Sequence, residues 1–515
     1  AKNVSIPVGV TQSYTIEFKY ANDENVDQSD DMGKKLSGTL FITEGTEPTL
    51  LSQLLEDNPT VSERKDFTSP FTTNTTNILY KAKEDNTDVY YFAGVDGTLA
   101  HCEVEYQNID YDDKLVKFTG EYNVNLEGLE EVDEDTCKTK SLCNLSTNKK
   151  VVFGLTQAQC QELAKKHEFL GIYDKSYYSE DLTNRTWVTE QNKPINNWVK
   201  FGKYQNDLIR YRGYYSTTST SYKEYSTMDE CTSASSYNIN CTEYKYANTG
   251  DDIYWRIIRT NSDGSIRLLY HGTSTTATDA YIGESIINVE NNNPMYVGYM
   301  YGTSGSLANN RTNTHNSIIK GVIDTWYKDN LNTNYGKYIS TTAIYCNDRS
   351  ITNGSYSTST SSEFDYGAKT RLDTNKTPTY DCTNVNDKFT VDSSTGNGKL
   401  TYPVALMTAD EVSFAGGVVF KDAKAWSWYN NNSVNGSSTG NEWWWLLSPF
   451  EWDNNFAYVF NVTAPSDSFG KLNGNTTGLT NGVRPVLSLK SCVKIRGGDG
   501  SASDPYTIRE TTSGC

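Results

Sequence analysis

The sequence has few basic residues, few histidines and few methionines. Of 515 residues only 4 are His and 5 are Met, and 46 Lys and Arg face 64 Asp and Glu, which gives a formal net charge of −18. A protein that binds a nucleic-acid duplex needs a basic surface, so this balance excludes nucleic acid as an expected partner. No apolar run approaches the length of a transmembrane helix, and we therefore predict no membrane span.

Motifs of the common catalytic classes are also missing. The chain contains no GxSxG, no HExxH, no P-loop and no dinucleotide-binding fingerprint. We therefore predict no catalytic residue, no cofactor and no metal, and hence no enzyme. A calcium loop in the acidic run 23–31 is not favoured, because the run lacks the glycine and terminal Glu of an EF-hand. The histidines are scattered and are expected at the surface or at helix ends: His101, His167, His271 and His315.

Aromatic residues supply the apolar surface that aliphatic residues usually supply. The chain has 37 Tyr, 17 Phe and 10 Trp, although its mean hydropathy is −0.63. Tyr and Thr favour strands, while the abundant Asn and Gly favour turns. This composition is typical of β-rich secreted and surface proteins, and the length leaves room for about two to four domains.

Ten cysteines are present, without CxxC or Cys/His spacing that would suggest zinc. An even number in a polar, Asn- and Thr-rich chain predicts five disulfides and an oxidising compartment. Short separations predict the pairs Cys231–Cys241, Cys346–Cys382 and Cys492–Cys515. The other four cysteines allow three pairings, among which the sequence does not decide: Cys102, Cys137, Cys143 and Cys160.

The first predicted domain covers residues 1–135 and is an antiparallel β domain of sandwich type. Alternating segments such as 11–20, 35–43, 88–95 and 97–106 are separated by Asp, Asn and Gly turns, and TLLSQLLEDN between them reads as a short amphipathic helix. The start, AKNVSIPVG, is expected to be a mature terminus left by signal cleavage. Residues 1–14 form a predicted assembly arm that donates a strand to a neighbour, with the apolar residues Val4, Ile6, Val8 and Val10.

The middle segment, residues 136–245, is expected to be short, helical and irregular. Thr156 and Gln159 predict a capping box for a helix that ends near Gly171. Cys160 on this helix is expected to be linked to the region of Cys137 and Cys143. The following stretch, YRGYYSTTSTSYKEYSTMDE, reads as extended, tyrosine-lined chain.

The third predicted domain spans residues 246–515. DDIYWRIIRTNSDGSIRLLYHG predicts a hairpin around an Asn-Ser-Asp-Gly turn. A helix is predicted at NTHNSIIKGVIDTWYKDNL, and a second capped helix begins at Thr408. An insertion at 345–395, rich in Ser, Thr, Tyr and Asn, interrupts the domain and carries Cys346 and Cys382. The fold class predicted for the whole chain is α+β, mostly β.

The order of the motifs in residues 246–510 resembles a known family. YWRII, GSIRLLY, ALMTADEV, WWLLSP with FAYVF, NGVRPVLSLKS and GDGSASDPYTI follow one another. This order is similar to a C-terminal domain of unknown function in secreted and cell-surface proteins of Gram-positive bacteria, which is related to the C-type-lectin-like fold of formylglycine-generating enzymes. The resemblance implies a lectin-like domain with long loop insertions. Leu447 replaces the Arg that the family often has, and neither the copper-site cysteines nor the calcium–sugar motifs are present, so neither chemistry is carried over.

Tryptophans concentrate in NEWWWLLSPFEWDNNFAYVFNV, residues 441–462. Consecutive large residues predict a strand buried on both faces, with Arg484 stacked on a ring or bound to buried carbonyls. Pro449 is expected to end the pairing, because it cannot donate to a ladder. Trp452 is expected to be exposed beyond this break, and we consider it a ligand-binding candidate together with Trp426 and Trp428.

Two functions follow from these patterns. The first is a secreted bacterial surface protein, the repeating subunit of a filament or pilus-like fibre, which assembles head to tail with copies of itself by strand addition. The alternative is an adhesin whose lectin-like loops bind surface glycans or host proteins. Asn-x-Ser/Thr sequons such as Asn240 and Asn353 permit glycosylation in either case.

Overall fold

The computed structural model describes residues 47–71, 78–96, 101–112, 116–118, 130–132, 143–152, 155–163, 176–188, 194–219, 221–423, 427–432, 437–438, 442–464 and 470–515. These residues form an α+β structure in which strands predominate, as predicted. The strands before residue 250 are β1 (Val61–Glu63), β2 (Leu79–Glu84), β3 (Thr87–Phe92), β4 (His101–Asp112), β5 (Val116–Phe118), β6 (Glu130–Val132), β7 (Cys143–Val152), β8 (Ser176–Val188), β9 (Trp198–Lys203), β10 (Leu208–Tyr214), β11 (Tyr222–Tyr225) and β12 (Ile239–Ala247).

The later strands are shorter, apart from two long central ones. They are β13 (Asp252–Thr260), β14 (Ile266–Tyr270), β15 (Glu284–Ser285), β16 (Met300–Tyr301), β17 (His315–Asn316), β18 (Tyr345–Cys346), β19 (Ile351–Asn353), β20 (Phe364–Tyr366), β21 (Lys388–Phe389), β22 (Val404–Ala405), β23 (Asn431–Asn432), β24 (Ser437–Ser438), β25 (Trp444–Trp452), β26 (Ala457–Val462), β27 (Leu472–Thr476), β28 (Asn481–Gly482), β29 (Val486–Leu489), β30 (Ile495–Gly497) and β31 (Tyr506–Ile508).

The helices are short and most of them are capped by side chains. The α-helices are α1 (Leu50–Asp57), α2 (Gln157–Glu162), α3 (Met228–Ser233), α4 (Leu307–Asn310), α5 (Ile318–Tyr327), α6 (Thr333–Tyr335), α7 (Gly367–Lys369) and α8 (Ala409–Ala415). The predicted capping box at Thr156 and the predicted helix cap at Thr408 are both confirmed, and the cap at Thr408 is also a capping box, with Glu411. Short 3₁₀ and π turns occupy Pro294–Val297, Lys328–Asn332, Gly336–Tyr338, Thr370–Asn375 and Val385–Asp387.

The main sheet is built around β13. Its strand order is β1-β2-β3-β13-β14-β29-β22, and β9, β31 and β30 extend it from the first half of β13. The predicted hairpin is confirmed, because β13 and β14 pair from Trp255↔Tyr270 to Thr260↔Ile266. Trp255 to Thr260 are all buried, and the charges of Arg256 and Arg259 within this stretch are paired with Asp96 and with Glu84 and Glu411.

The three predicted segments do not lie in separate sheets. Arg259 of β13 pairs with Tyr91 of β3, and Trp255 of β13 pairs with Val199 of β9. One sheet therefore contains β1 to β3, β9, β13, β14, β22 and β29. It crosses the predicted domain boundaries at 135 and 245. Strands β4, β7 and β8 form a smaller antiparallel sheet of their own, and the predicted strands at 11–20 and 35–43 lie outside the described residues.

A second sheet holds the tryptophan-rich strand β25. Its order is β15-β28-β25-β20-β19, with β26 and β27 on the other side of β25. Trp444 and Trp445 are both 0% exposed, so the predicted burial on both faces is confirmed. The guanidinium of Arg484 lies 4.7 Å from the ring centroid of Trp444 and donates to the carbonyls of Tyr270 and Tyr429, so both of its predicted contacts occur.

Pro449 does not end β25, contrary to the prediction. The strand runs on to Trp452, and Pro449 lies opposite Val459 of β26. The register shifts on both sides of Pro449, and such an irregularity lets a strand accommodate a residue that cannot donate to the ladder.

The disulfides confirm the three pairs predicted from short separations. Cys231–Cys241, Cys346–Cys382 and Cys492–Cys515 have Cα–Cα distances of 6.1, 5.8 and 5.3 Å. Cys102 pairs with Cys160 at 5.5 Å, so the expected link from Cys160 to the region of Cys137 and Cys143 is wrong. The side chain of Cys102 comes from β4, which packs against α2 and lies far from it in sequence.

Candidate functional site

A groove of about 700 Å³ opens beside β30, β31 and β9 at one end of the main sheet. Phe201, Ile495 and Ile508 line it, but they belong to the main hydrophobic core and are only 4%, 6% and 5% exposed, and polar and apolar atoms share the lining about equally. Pro48 and Glu47 also line it. The chain between the described start and α1 therefore runs along this groove.

The groove follows the outer edge of β30, against which the chain before α1 lies. On its inner side β30 pairs with β31. On its outer side Thr49 bridges Lys494 in antiparallel fashion, Leu50 N donates to Val493 O at 2.9 Å and Ile495 N donates to Pro48 O at 3.2 Å. The described outer pairing reaches Ile495, and Arg496 and Gly497 follow it along the edge. The edge of a sheet is a place where another strand can be added.

Charged side chains form the rim of the groove. Lys203 and Lys200 lie 2.6 and 3.7 Å from the carboxylate of Asp252, and Arg509 contacts Glu47. Arg496 and Glu510 complete the rim. The charges nearly balance, in a chain that is otherwise strongly acidic. The rim therefore does not repel a neutral or weakly charged segment.

Gly497 leaves free space at this edge. A Cβ built on Gly497 meets no heavy atom within 4 Å. A large side chain at this position is therefore expected to fill the groove without disturbing the fold. No local motif marks this groove in the sequence, because its walls come from residues near 48, 200, 495 and 508.

The predicted assembly arm comprises residues 1–14. Its residues Val4, Ile6, Val8 and Val10 lie outside the described residues. The described chain begins at Glu47, which itself lines the groove.

The tryptophan candidates for ligand binding are not at the surface. Trp452 is 1% exposed and Trp428 0% exposed, so the expected exposure of Trp452 is wrong. Trp452 lies between strands β20 and β26, opposite Phe364 and Ala457. Trp428 donates from Nε1 to the carbonyl of Phe92 at 3.0 Å. Trp426 lies outside the described residues.

Aromatic rings that are partly or fully exposed occur elsewhere, at the β16–β17 pair, where Tyr296 and Tyr301 are half-buried. Tyr301 stacks on His315 with ring centroids 5.4 Å apart and an angle of 17° between the planes. Tyr296 meets Tyr301 edge-on at 5.2 Å. His315 is exposed. No sequence pattern indicated this cluster, because two of its rings become neighbours only when β16 pairs with β17.

His271 differs from the expected surface histidine. It is 0% exposed, its ring meets Trp198 edge-on at 4.5 Å, and neither ring nitrogen has a hydrogen-bond partner. Burial, together with the nearby Arg484 and Arg256, holds its pKa well below the usual value. A charge-free ring in this core has no evident role in binding.

The described residues bring together neither a set of metal ligands nor a membrane-spanning helix. Among these residues no three His, Cys, Asp or Glu side chains are grouped so that they would hold a metal ion. In the same part of the chain, no helix has both the length and the apolar character that crossing a bilayer requires.

No protein-family model matches the chain, and the searches of curated proteins and of solved structures found no similar protein either. The resemblance to lectin-like surface domains therefore stays a prediction.

Proposed function

We propose that this chain is an extracellular structural subunit of a bacterial surface fibre, and that the groove beside β30 accepts residues 1–14 of the next copy. The observation that carries the proposal is an open groove along the edge of β30, where Arg496 and Gly497 follow the described pairing with the chain before α1. Strand addition to such an edge supplies backbone hydrogen bonds, while alternate side chains fill the floor.

The arm has the pattern that this groove requires. Val4, Ile6, Val8 and Val10 occupy alternate positions, so they share one face when the segment is extended. Residues 4–10 then span about 23 Å at about 3.3 Å per residue. That face would lie against the groove, whose lining includes Phe201, Ile495 and Ile508.

The disulfides support an oxidising compartment. Four pairs join cysteines that are 10 to 58 residues apart, and such bonds persist outside the reducing cytosol.

A donated arm also joins two different surfaces of neighbouring copies. A contact of this heterologous kind grows into a fibre when it does not close into a ring.

The test is electron microscopy of four chains assembled under the same conditions. The full chain is expected to form fibres, while deletion of residues 1–12 leaves soluble monomers. Gly497→Trp fills the groove and is expected to abolish fibres as well. Gly321→Trp is the matched control, because Gly321 is exposed in α5 and a Cβ there also meets nothing within 4 Å. Fibres formed by Gly497→Trp would show that the groove is not the acceptor. Fibres formed by the deletion variant would show that the arm is not needed for assembly.

The second candidate is a glycan-binding adhesin, favoured by the surface ring pair Tyr301–His315. Sugars stack on exposed aromatic faces, and polar neighbours such as Ser304 and Asn316 would supply hydrogen bonds. Glycan-array binding that Tyr301→Ala abolishes would support it. Equal binding by this variant and by the parent chain would contradict it. Trp452→Ala is unsuitable for this test, because a buried ring reports on folding.

A further inference from the structure

The Tyr-rich sheet β11-β10-β12 meets the rest of the chain mainly through carboxylates. Tyr222 Oη donates to Glu442 Oε1 at 3.1 Å, and Tyr244 Oη donates to Asp279 Oδ2 at 2.8 Å. The backbone N–H of Glu284 donates to Glu224 Oε2 at 3.0 Å. Each of these three bonds depends on a group that gains or loses a proton.

Arg212 of β10 is the central cation of this contact. Its Nε lies 2.8 Å from Glu224 Oε1, which also accepts a 2.7 Å bond from Tyr246 Oη. Its guanidinium lies 3.3 Å from the ring centroid of Tyr244 and 4.2 Å from that of Tyr222. Arg212 reaches Asp279 only at 3.9 Å. Its closest carboxylate is therefore Glu224, on its own sheet.

Carboxylates outnumber cations at this contact. Four carboxyl groups face Arg212 and one further arginine, Arg210, whose Nη1 donates to the carbonyl of Ile209. The titratable and charged groups that meet here are Arg210 and Arg212 on β10, Tyr222 and Glu224 on β11, Tyr244 and Tyr246 on β12, and Asp279, Tyr281, Glu284 and Glu442 on the opposite side.

The base of the sheet is held differently. Leu208 and Ala247 belong to the main hydrophobic core, and Asp207 binds Lys245 at 2.8 Å and Thr249 at 2.7 Å. The sheet can therefore separate at its carboxylate contact while its two connections stay packed.

We propose that this carboxylate contact is a pH-sensitive clamp, which docks β10–β12 firmly in acid and releases it as the solution becomes alkaline. The inference is independent of fibre assembly, since no residue of the contact lines the groove beside β30.

The direction follows from the protonation of the buried acids. Burial, with Glu224 and Glu442 nearby, raises the pKa of Glu284 to about 9. Burial raises the pKa of Asp279 to about 6. A carboxyl group whose pKa is raised by docking stabilises the docked state fully below its undocked pKa. That contribution is lost as the pH rises through the docked value. The clamp therefore weakens progressively between about pH 4 and pH 9.

Hydrogen–deuterium exchange of the intact chain between pH 5 and pH 9 tests the clamp. After correction for intrinsic exchange, the amide exchange rate of peptides from 208–247 should rise with pH. The rise should reach up to about tenfold per pH unit for each proton released. Peptides from 252–270 provide the internal reference, because that hairpin lies in the core. Glu284→Gln stays neutral at every pH and should keep the sheet docked at pH 8.

The matched control is Glu243→Gln, since Glu243 is exposed on β12. This variant should keep the parent profile. If Glu284→Gln fails to fold, as judged by exchange in 252–270, Asp279→Asn replaces it and should remove the part of the slope near pH 6. Exchange of 208–247 that does not change with pH, or a slope that neither acid variant reduces, would overturn the inference.

Discussion

Glu411 should be the most sensitive single carboxylate of the core. Its Oε1 lies 2.9 Å from Arg259 Nε and 2.6 Å from Arg267 Nη1, and its Oε2 accepts the backbone N–H of Thr408 at 3.0 Å. Glu84 binds the other end of Arg259 at 2.9 Å. Two carboxylates thus balance two arginines in a buried network that joins β2, β13, β14 and α8.

Glu411→Gln keeps the size of the side chain and an oxygen for the helix cap, but removes the charge. Two buried arginines are then left with one carboxylate. Removal of one partner of a buried ion pair costs about 3–5 kcal/mol, so we expect the free energy of unfolding to fall by that amount at pH 7. Urea titration with the disulfides intact measures it, and Glu243→Gln is the exposed control.

The pH dependence of the free energy of unfolding tests the same network in a second way. Burial opposes the ionisation of Glu411, but Arg267 and Arg259 outweigh it and hold its pKa below the usual value. A depressed pKa means stability that is present above the unfolded pKa and lost as pH falls through the folded value. The difference between parent and Glu411→Gln should therefore shrink below about pH 4. A loss under about 1 kcal/mol at pH 7, the size of an exposed pair, would refute the reasoning.

Three further predictions concern burial and covalent links. Trp452→Ala should lower the free energy of unfolding by about 3–5 kcal/mol in urea titration, because it empties a core position; a loss below 1 kcal/mol would mean that the ring is exposed. Below about pH 6.5 the parent chain should lose up to about 1.4 kcal/mol per pH unit through His271, because burial depresses its pKa and the unfolded chain takes up the proton. His271→Phe should lack that slope, and an unchanged slope would contradict the assignment. The double change Cys231→Ser and Cys241→Ser opens a ten-residue link and should destabilise β10–β12 by about 3 kcal/mol, measured by amide exchange; equal exchange in both chains would show that the link is dispensable.

Local patterns predicted the elements that short-range chemistry determines. The hairpin at 252–270, the caps at Thr156 and Thr408 and the three short disulfides are confirmed. Each depends on residues close together in sequence, where turn residues, capping oxygens and loop length decide the outcome.

Long-range contacts were beyond such patterns. The pairing of β3 and β9 with β13 and the link from Cys102 to Cys160 join residues from 49 to 168 positions apart. The burial of Trp452 was missed for the same reason: Pro449 reads locally as a strand end, but β20 and β26 still pair around it. The groove and the carboxylate clamp are likewise assembled from distant segments.

Cross-linking between two differently tagged copies tests the central claim most directly. One copy carries Ile6→Cys in the arm and the other Arg496→Cys at the edge of the groove, and the pair is mixed under mild oxidation. We predict a disulfide-linked product that contains both tags, and none when Lys399→Cys, exposed outside the groove lining, replaces Arg496→Cys. No mixed product under conditions in which fibres form would contradict donation of the arm between copies.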